Sequence, residues 1–267
     1  HRSGRATRSR GWRKSRRQST CFRCRVSSVP DWPERAVARR LALERSTRVA
    51  PVWRRDHVFV TTPSSWPNEQ GRSVALAEDW SLMLVQLAHT ADAERNRRQV
   101  IEDGPVIRRE GWAIGGWGTY GQGTEARADG LNAARVAGEL NLDAWMANGE
   151  TWAEGKDGRW KSVAFVDGWV AGGAPCPLGV SCNASTTANF ARDFDYQSFL
   201  ELDGSVVAPQ VYGNLNPDLT WSATLASLEQ ANVPPDVVAM TFGTYVDSRN
   251  PLDVPFGAYR SWRGMRG

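Results

Sequence analysis

The sequence predicts an α/β protein built on a (β/α)8 TIM-like barrel, incomplete or irregular at its N-terminal end, and three observations carry that expectation. From Gly111 onward, short apolar runs alternate with helix-like segments at about 30 residues per unit, the rhythm of parallel strands joined by right-handed crossover helices. Nearly every apolar run ends in polar or aromatic residues: Trp117 and Tyr120, Asn148 and Glu150, Ser181 and Asn183, Gln210 and Tyr212, Thr241 and Tyr245. Converging strand ends of this kind describe the C-terminal mouth of a barrel, where such folds place their sites. Finally, 267 residues accommodate a barrel of about 250 without a second core. An open doubly wound sheet shares the rhythm, but no GxGxxG follows a first strand and GGWGTYGQG does not fit a phosphate-binding loop, so nucleotide binding is not supported.

The elements follow in order. Residues 1–70 carry Pro, Arg and Ser throughout and read as a basic, poorly structured arm, in which only RAVARRLALER looks helical and HVFVT looks like a short strand. The barrel-like domain is assigned to residues 71–267, with its best support from 111. Residues 73–100 read as one amphipathic helix running through LMLVQLAHTADAERNRRQV, apolar first and charged after. Residues 111–120 form a strand and a Gly-rich turn; 125–140 a helix with Ala, Leu and Val at helical spacing; 142–147 a strand; 161–171 a helix. Strand 178–182, short helix 196–201, strand 206–212, helix 220–231 and strand 237–241 complete the series. That makes about five units where a full barrel needs eight.

Charge is uneven along the chain. The first 60 residues carry about 17 Lys plus Arg against about 4 Asp plus Glu, and the remainder roughly 16 against 25, so the net +4 hides a basic arm and an acidic body. Such an arm would bind phosphates non-specifically and release them with salt. Arg, Ser, Trp, Pro and Cys without hydrophobic period are equally what a GC-rich gene yields in a wrong reading frame, in which case the chain is authentic chiefly from Gly111. No run of 18 apolar residues is present and no apolar segment follows the basic start, so neither a spanning helix nor a secretory signal is expected, and the compartment stays open.

Cys21 and Cys24 form a CxxC, but Cys176 and Cys182 are too widely spaced, with Pro177 and Gly179 between, for the second knuckle of a zinc ribbon. Cys182 reads as a buried thiol, and a Cys176–Cys182 bridge would need an oxidising compartment. His1, His57 and His89 are scattered. Neither a metal nor an organic cofactor is expected.

The most informative stretch is LDAWMANGETW, residues 142–152, where an apolar run ends in Asn148-Gly149-Glu150. Alternate residues of an extended strand share a face, so Asn148 and Glu150 would project together, about 7 Å apart. An amide beside a carboxylic acid can hold a substrate group while the acid moves a proton, and Trp145 and Trp152 could offer ring faces to a sugar. The bland alternatives stand beside this one. Asn-Gly is a common turn, Trp117 suits a core, Gln210 and Tyr212 suit loop caps, and Asp193 and Asp195 suit the cap of the helix near Tyr196.

The segments GWAIGGWGTYG, LDAWMANGETW, VVAPQVYGN and VVAMTFGTY together resemble glycoside-hydrolase-type TIM barrels, including lysozyme-like ones associated with phages or bacteria, over roughly residues 111–250. Lysozyme-like barrels often show Asp-x-Glu at a strand end; this chain has Asn148 in place of the Asp. The Asn-x-Glu arrangement is similar to endo-acting N-acetylglucosaminidase barrels. The resemblance implies a mechanism in which the sugar's own acetamido oxygen attacks the anomeric carbon, an exception to the two-carboxylate scheme. On that footing Glu150 is the general acid/base and Asn148 the acetamide-orienting amide. Trp117, Tyr120, Trp152, Gln210, Tyr212 and Tyr245 bind substrate, a polysaccharide bearing N-acetylhexosamine such as cell-wall material. A Trp-lined setting would keep Glu150 protonated near neutral pH. Asp193, Asp195 and Asp247 are the candidates for a second carboxylate. Two other readings remain: a non-catalytic sugar-binding or virion structural barrel, and nucleic-acid binding through the arm.

Overall fold

The structure, a computed structural model, describes residues 49–242 apart from 55, 61–65, 78–79, 123–124, 150–152, 154–157, 184–193, 212–220 and 240. Seven strands lie side by side in chain order, all parallel: β1 (Asp56–Val60), β2 (Trp80–Gln86), β3 (Ala113–Thr119), β4 (Ala144–Gly149), β5 (Leu178–Asn183), β6 (Val206–Val211) and β7 (Thr241–Phe242). Between them run α1 (Glu69–Ala77), α2 (Ala93–Arg109), α3 (Ala126–Glu139), α4 (Arg159–Ala171), α5 (Tyr196–Leu200) and α6 (Trp221–Gln230). A doubly wound sheet reverses its strand order at a switch point; this one never does. The sheet curls into a half-barrel, and side chains on its concave face reach past an intervening strand. Trp117 Nε1 of β3 donates to Val60 O of β1 at 3.3 Å, and Gln210 of β6 reaches Asn148 of β4.

Alternation along each strand sorts its residues between two apolar clusters. In β4, Ala144 and Met146 join the inner cluster with Leu82, Leu84, Ala113, Val206 and Ala208, while Trp145 and Ala147 join the outer one beneath the helices. The inner layer interdigitates large residues with glycines. A Cβ on Gly115 would lie 2.6 Å from Leu84 Cδ2, and one on Gly179 would lie 2.8 Å from Val206 Cγ1.

Two expectations need correction. Residues 82–88 are not the apolar half of a helix: Trp80–Gln86 is a strand, and the helix is only the charged half that follows. Leu82 and Leu84 face inward while Met83 and Val85 face the helices, so both faces are buried and the run shows no alternation of polarity. The sheet also reaches back before residue 71. β1 pairs in register with β2 through Phe59↔Leu84 and Val60↔Val85, and the 3-10 turn Pro51–Arg54 sets Trp53 into the inner cluster. Residues 56–109 therefore carry the same strand–helix rhythm as the rest.

β1 carries a register shift between Asp56 and His57, and the opposite edge of the sheet is irregular as well. Residues 237–241, expected as a strand, hold only an isolated bridge between Val238 and Val207, with β7 reduced to Thr241–Phe242. Pro234 and Pro235 open a 3-10 turn, Pro235–Val237, which takes up the first residue of the expected strand. No eighth strand occurs among the described residues.

Cys176 and Cys182 are both free thiols, so the bridge between them is not formed. Cys182 faces the outer core, its Sγ 3.5 Å from Tyr196 OH. Cys176 precedes β5 beside Trp169 and Leu178, where burial, with the charge of Asp143 adding to it, pushes its thiol up to about 12. The thiolate is the reactive form. Peptide-resolved labelling with iodoacetamide at pH 7.5 should therefore leave Cys176 unmodified in the native protein and modify it in urea; prompt native labelling would contradict this environment.

Candidate functional site

Because all strands are parallel, their C-terminal ends share one end of the half-barrel, and inward-facing positions there converge on the concave face. Alternation places Phe59 of β1, Gln86 of β2, Trp117 and Thr119 of β3, Asn148 of β4, Ser181 of β5 and Gln210 of β6 in this set. Register aligns Thr119 with Asn148 and Asn148 with Ser181. Directly below lie Met146 and Ala208 of the inner cluster. The mouth therefore changes from apolar to polar within one layer.

Three of these side chains form a hydrogen-bonded group. Gln210 Nε2 donates to Asn148 Oδ1 at 2.7 Å and to Ser181 Oγ at 3.1 Å. Asn148 and Ser181 are 7% and 1% exposed, a degree of burial that polar groups tolerate only when bonded. Trp117, half-buried, is held at its edge by the bond to Val60 O and packs edge-on against Phe59, centroids 5.7 Å apart. A ring fixed in this way loses little freedom when a ligand stacks on it.

Two expected contributors lie elsewhere. Tyr120 follows the inward-facing Thr119 and so points outward; it is fully buried, 4.6 Å from the Phe165 ring, with its hydroxyl 2.9 Å from Ser162 Oγ. It ties β3 to α4 and does not line the mouth. Trp145 likewise faces α4, 6.3 Å from the Trp169 ring, and offers no face to a sugar. Asp195 accepts a hydrogen bond from Ser198 Oγ of α5 and is not part of the Asn148 group. Glu150, Trp152, Asp193, Tyr212, Tyr245 and Asp247 lie outside the described residues, as do Cys21, Cys24 and the basic arm.

Ser181 and Gln86 are the positions that sequence reasoning undervalued. Ser181 is visible as a polar strand end, but its role depends on pairing opposite Asn148. Gln86 is visible only once LMLVQ is taken as a strand, which puts Leu82, Leu84 and Gln86 on one face.

Outside the concave face, a second polar group ties together the loops that follow β2 and β3. His89 Nε2 lies 3.1 Å from Asp129 Oδ1, Gly121 N–H donates to Asp129 Oδ2 at 2.9 Å, and Lys161 Nζ donates to Gly121 O at 2.7 Å. The hydrogen bond to Asp129, supported by its charge and opposed by burial, raises the His89 pKa. Burial pushes Asp129 upward, but the bonds from His89 and Gly121 and the His89 charge outweigh it and hold the carboxyl below its usual value. With His89 raised, its contribution to stability is complete below the unfolded histidine value and fades as pH rises through the folded one. With Asp129 lowered, its contribution is complete above the unfolded carboxylate value and fades as pH falls through the folded one. The tie is thus strongest in mildly acidic solution. Asp129→Asn should move the His89 titration, followed by NMR of its ring protons, to lower pH; an unmoved midpoint would mean that the pair does not form in solution.

Among the described residues no group of three or more His, Cys, Asp or Glu converges as metal ligands, and no helix is long and apolar enough to cross a membrane. No protein-family model matches the sequence, and neither does any curated protein compared with it. A solved structure similar to this chain is that of GHIP, described as a glycosyl hydrolase 25 and virulence factor of Streptococcus pneumoniae participating in host cell invasion. It shares 14% identity at a TM-score of 0.38, covering 67% of this chain and 74% of that one.

Proposed function

We propose that the chain is a glycoside-hydrolase-like protein acting on an N-acetylhexosamine-containing polysaccharide such as cell-wall material, and that its sheet belongs to a (β/α)8 TIM-like barrel. One observation carries this reading: the Asn148 amide is held on the concave face at the C-terminal end of the sheet, in the same mouth as the anchored ring of Trp117 and two residues ahead of Glu150 in the chain. The amide orients the sugar's acetamido group, whose carbonyl oxygen attacks the anomeric carbon. Glu150 protonates the departing glycosidic oxygen and afterwards takes a proton from the water that opens the cyclic intermediate. Trp117, Trp152 and Tyr245 offer platforms to the sugar rings, and Tyr212 and Gln210 supply hydrogen bonds. Asp193 and Asp247 are the remaining candidates for a second carboxylate.

The test is release of reducing ends from purified bacterial cell wall and from triacetylchitotriose, with cellotriose, which lacks acetamido groups, as the comparison. Hydrolysis of the acetamido sugars alone supports the reading. Failure to bind any of the three overturns it.

A second reading, a sugar-binding barrel without turnover, is favoured by Asn148 standing where a paired carboxylate would stand. It predicts binding of triacetylchitotriose with no product. Nucleic-acid binding through the basic arm rests on composition alone. Salt-sensitive DNA retention, lost on deleting residues 1–48 but not the buried Trp53, would support it.

A further inference from the structure

We infer that Gln86 is a further ligand-contacting residue, whose side-chain amide hydrogen-bonds the hydroxyl groups of a neutral sugar ring seated against Trp117; this rests on the glycoside-hydrolase reading and gives the mouth a second polar side. Asn148, Ser181 and Gln210 line it from β4, β5 and β6. Gln86 lies apart from them on β2, in register with Trp117, so the two backbones are about 4.8 Å apart, one strand spacing. The indole leaves β3 at this level and reaches Val60 O on β1, and Val60 is in register with Val85. It therefore crosses β2 where Gln86 projects, while Leu84 of the inner cluster lies one layer further in. A ring platform and a polar group meet at one place. Thr119, two residues beyond Trp117 on the same face, adds a hydroxyl.

The fold treats the backbone and the side chain of Gln86 differently. The Gln86 carbonyl accepts from Asn96 Nδ2 at 2.8 Å, Leu87 N–H donates to Trp117 O at 2.9 Å, and the Leu87 carbonyl accepts from Arg97 Nε and Nη2 at 3.2 and 3.0 Å. The strand end is thus clamped, with Asn96 fully buried beneath it. By contrast, the half-buried Gln86 amide and the Thr119 hydroxyl have no hydrogen-bond partner among the described residues. A primary amide ends in an acceptor oxygen and an NH2 donor side by side. Hydroxyl groups on adjacent ring carbons each donate and accept, so one amide serves two of them. A clamped strand end loses little freedom when it does so. Charge narrows the ligand further. No inward-facing residue described at this end of the sheet is acidic or basic, so an anion would leave water there without a counter-charge, a cost that a neutral polyol does not meet.

Three measurements on the full chain test this. Without ligand, Gln86→Leu should melt no lower than the wild type, because the amide holds nothing in the free protein; a fall of several degrees would show that it is bonded internally and overturn the inference. With triacetylchitotriose, Gln86→Leu should bind about tenfold more weakly, roughly one hydrogen bond's net contribution. The third measurement pairs the variant with monodeoxy derivatives of the same sugar. The derivative lacking the contacted hydroxyl should bind the wild type about tenfold more weakly than the parent does, and should bind the wild type and Gln86→Leu alike. A residue that only supported the fold would weaken every derivative by the same factor. If the wild type binds or cleaves triacetylchitotriose and no derivative separates it from the variant, the inference fails while the functional reading stands. Adenosine, whose base also stacks and pairs with an amide, is the comparison ligand. If the wild type takes adenosine and no sugar, or neither, the inference and the functional reading fail together.

Discussion

Glu150→Gln is expected to reduce hydrolysis of N-acetylglucosamine oligomers by about a thousandfold, within the range of about 10²–10⁴ that a positioned general acid/base contributes. Gln matches Glu in size and keeps a hydrogen-bonding end group, so substrate affinity should change by no more than a few-fold. What it lacks is a transferable proton. Two further readouts separate loss of proton transfer from loss of structure. A substrate with an aryl leaving group of low pKa needs little protonation, so its first step should be far less affected than that of a natural glycoside. The acidic limb of the wild-type rate profile, set by the carboxyl as base, and the basic limb, set by it as acid, should both flatten in the variant. Undiminished turnover of the natural oligomer would remove Glu150 from the mechanism, and Asp193 and Asp247 would then be tested in the same way. Binding without turnover in the wild type would leave the non-catalytic reading as the better one.

Much of the sheet was legible in local patterns, and the reasons are particular. GWAIGGWGTY and VVAPQVY are short apolar runs bounded by glycines, turns and helical segments, and they became β3 and β6. LMLVQ escaped because Leu82 to Val85 are buried on both faces and lack the polar alternate that marks a half-exposed strand. In the mouth, Asn148 and Gln210 were recognisable as polar strand ends, but their contact was not. It depends on the Asn148↔Ser181 register and on the curl that brings β6 toward β4, neither of which any local pattern encodes. Parity alone could have prevented two misplacements. Trp117 and Tyr120 are three apart, as are Trp145 and Asn148, and residues separated by an odd number cannot share a face of one strand.

The largest expected loss of stability comes from two glycines outside the mouth. Gly130 of α3 and Gly168 of α4 lie where the two helices touch backbone to backbone. A Cβ on Gly130 would stand 2.0 Å from Phe165 O, and one on Gly168 would stand 2.0 Å from Arg127 O. Carbonyls of a neighbouring helix cannot rotate aside as a side chain would, so the helices must separate by roughly 1 Å and loosen the interior packing they share. Ala133, Ala134 and Ala137 of α3 and Phe165 and Trp169 of α4 lie in the cluster that would open. Ala in place of Gly gains about 1 kcal/mol of helix propensity, which opposes this. Even so, Gly130→Ala should cost about 2 kcal/mol net, the overpacking term exceeding the propensity term. In thermal unfolding that is a fall of about 5 °C or more. Gly138→Ala, later in the same helix, is the control. Its nearest neighbour would be Pro175 Cβ at 3.8 Å, so only the propensity gain remains and the melting temperature should rise. The double change Gly130→Ala with Gly168→Ala should cost less than the sum of the two, because a single displacement of the helices relieves both contacts. An unchanged melting temperature in Gly130→Ala would mean that the helices do not meet this closely. If the loss is seen, it bears on the mouth as well. α3 follows β3 and α4 follows β4, the strands that carry Trp117 and Asn148. Helices forced apart would move those strand ends relative to each other, so any sugar affinity should fall along with stability, as it would not for a surface change of equal energetic cost.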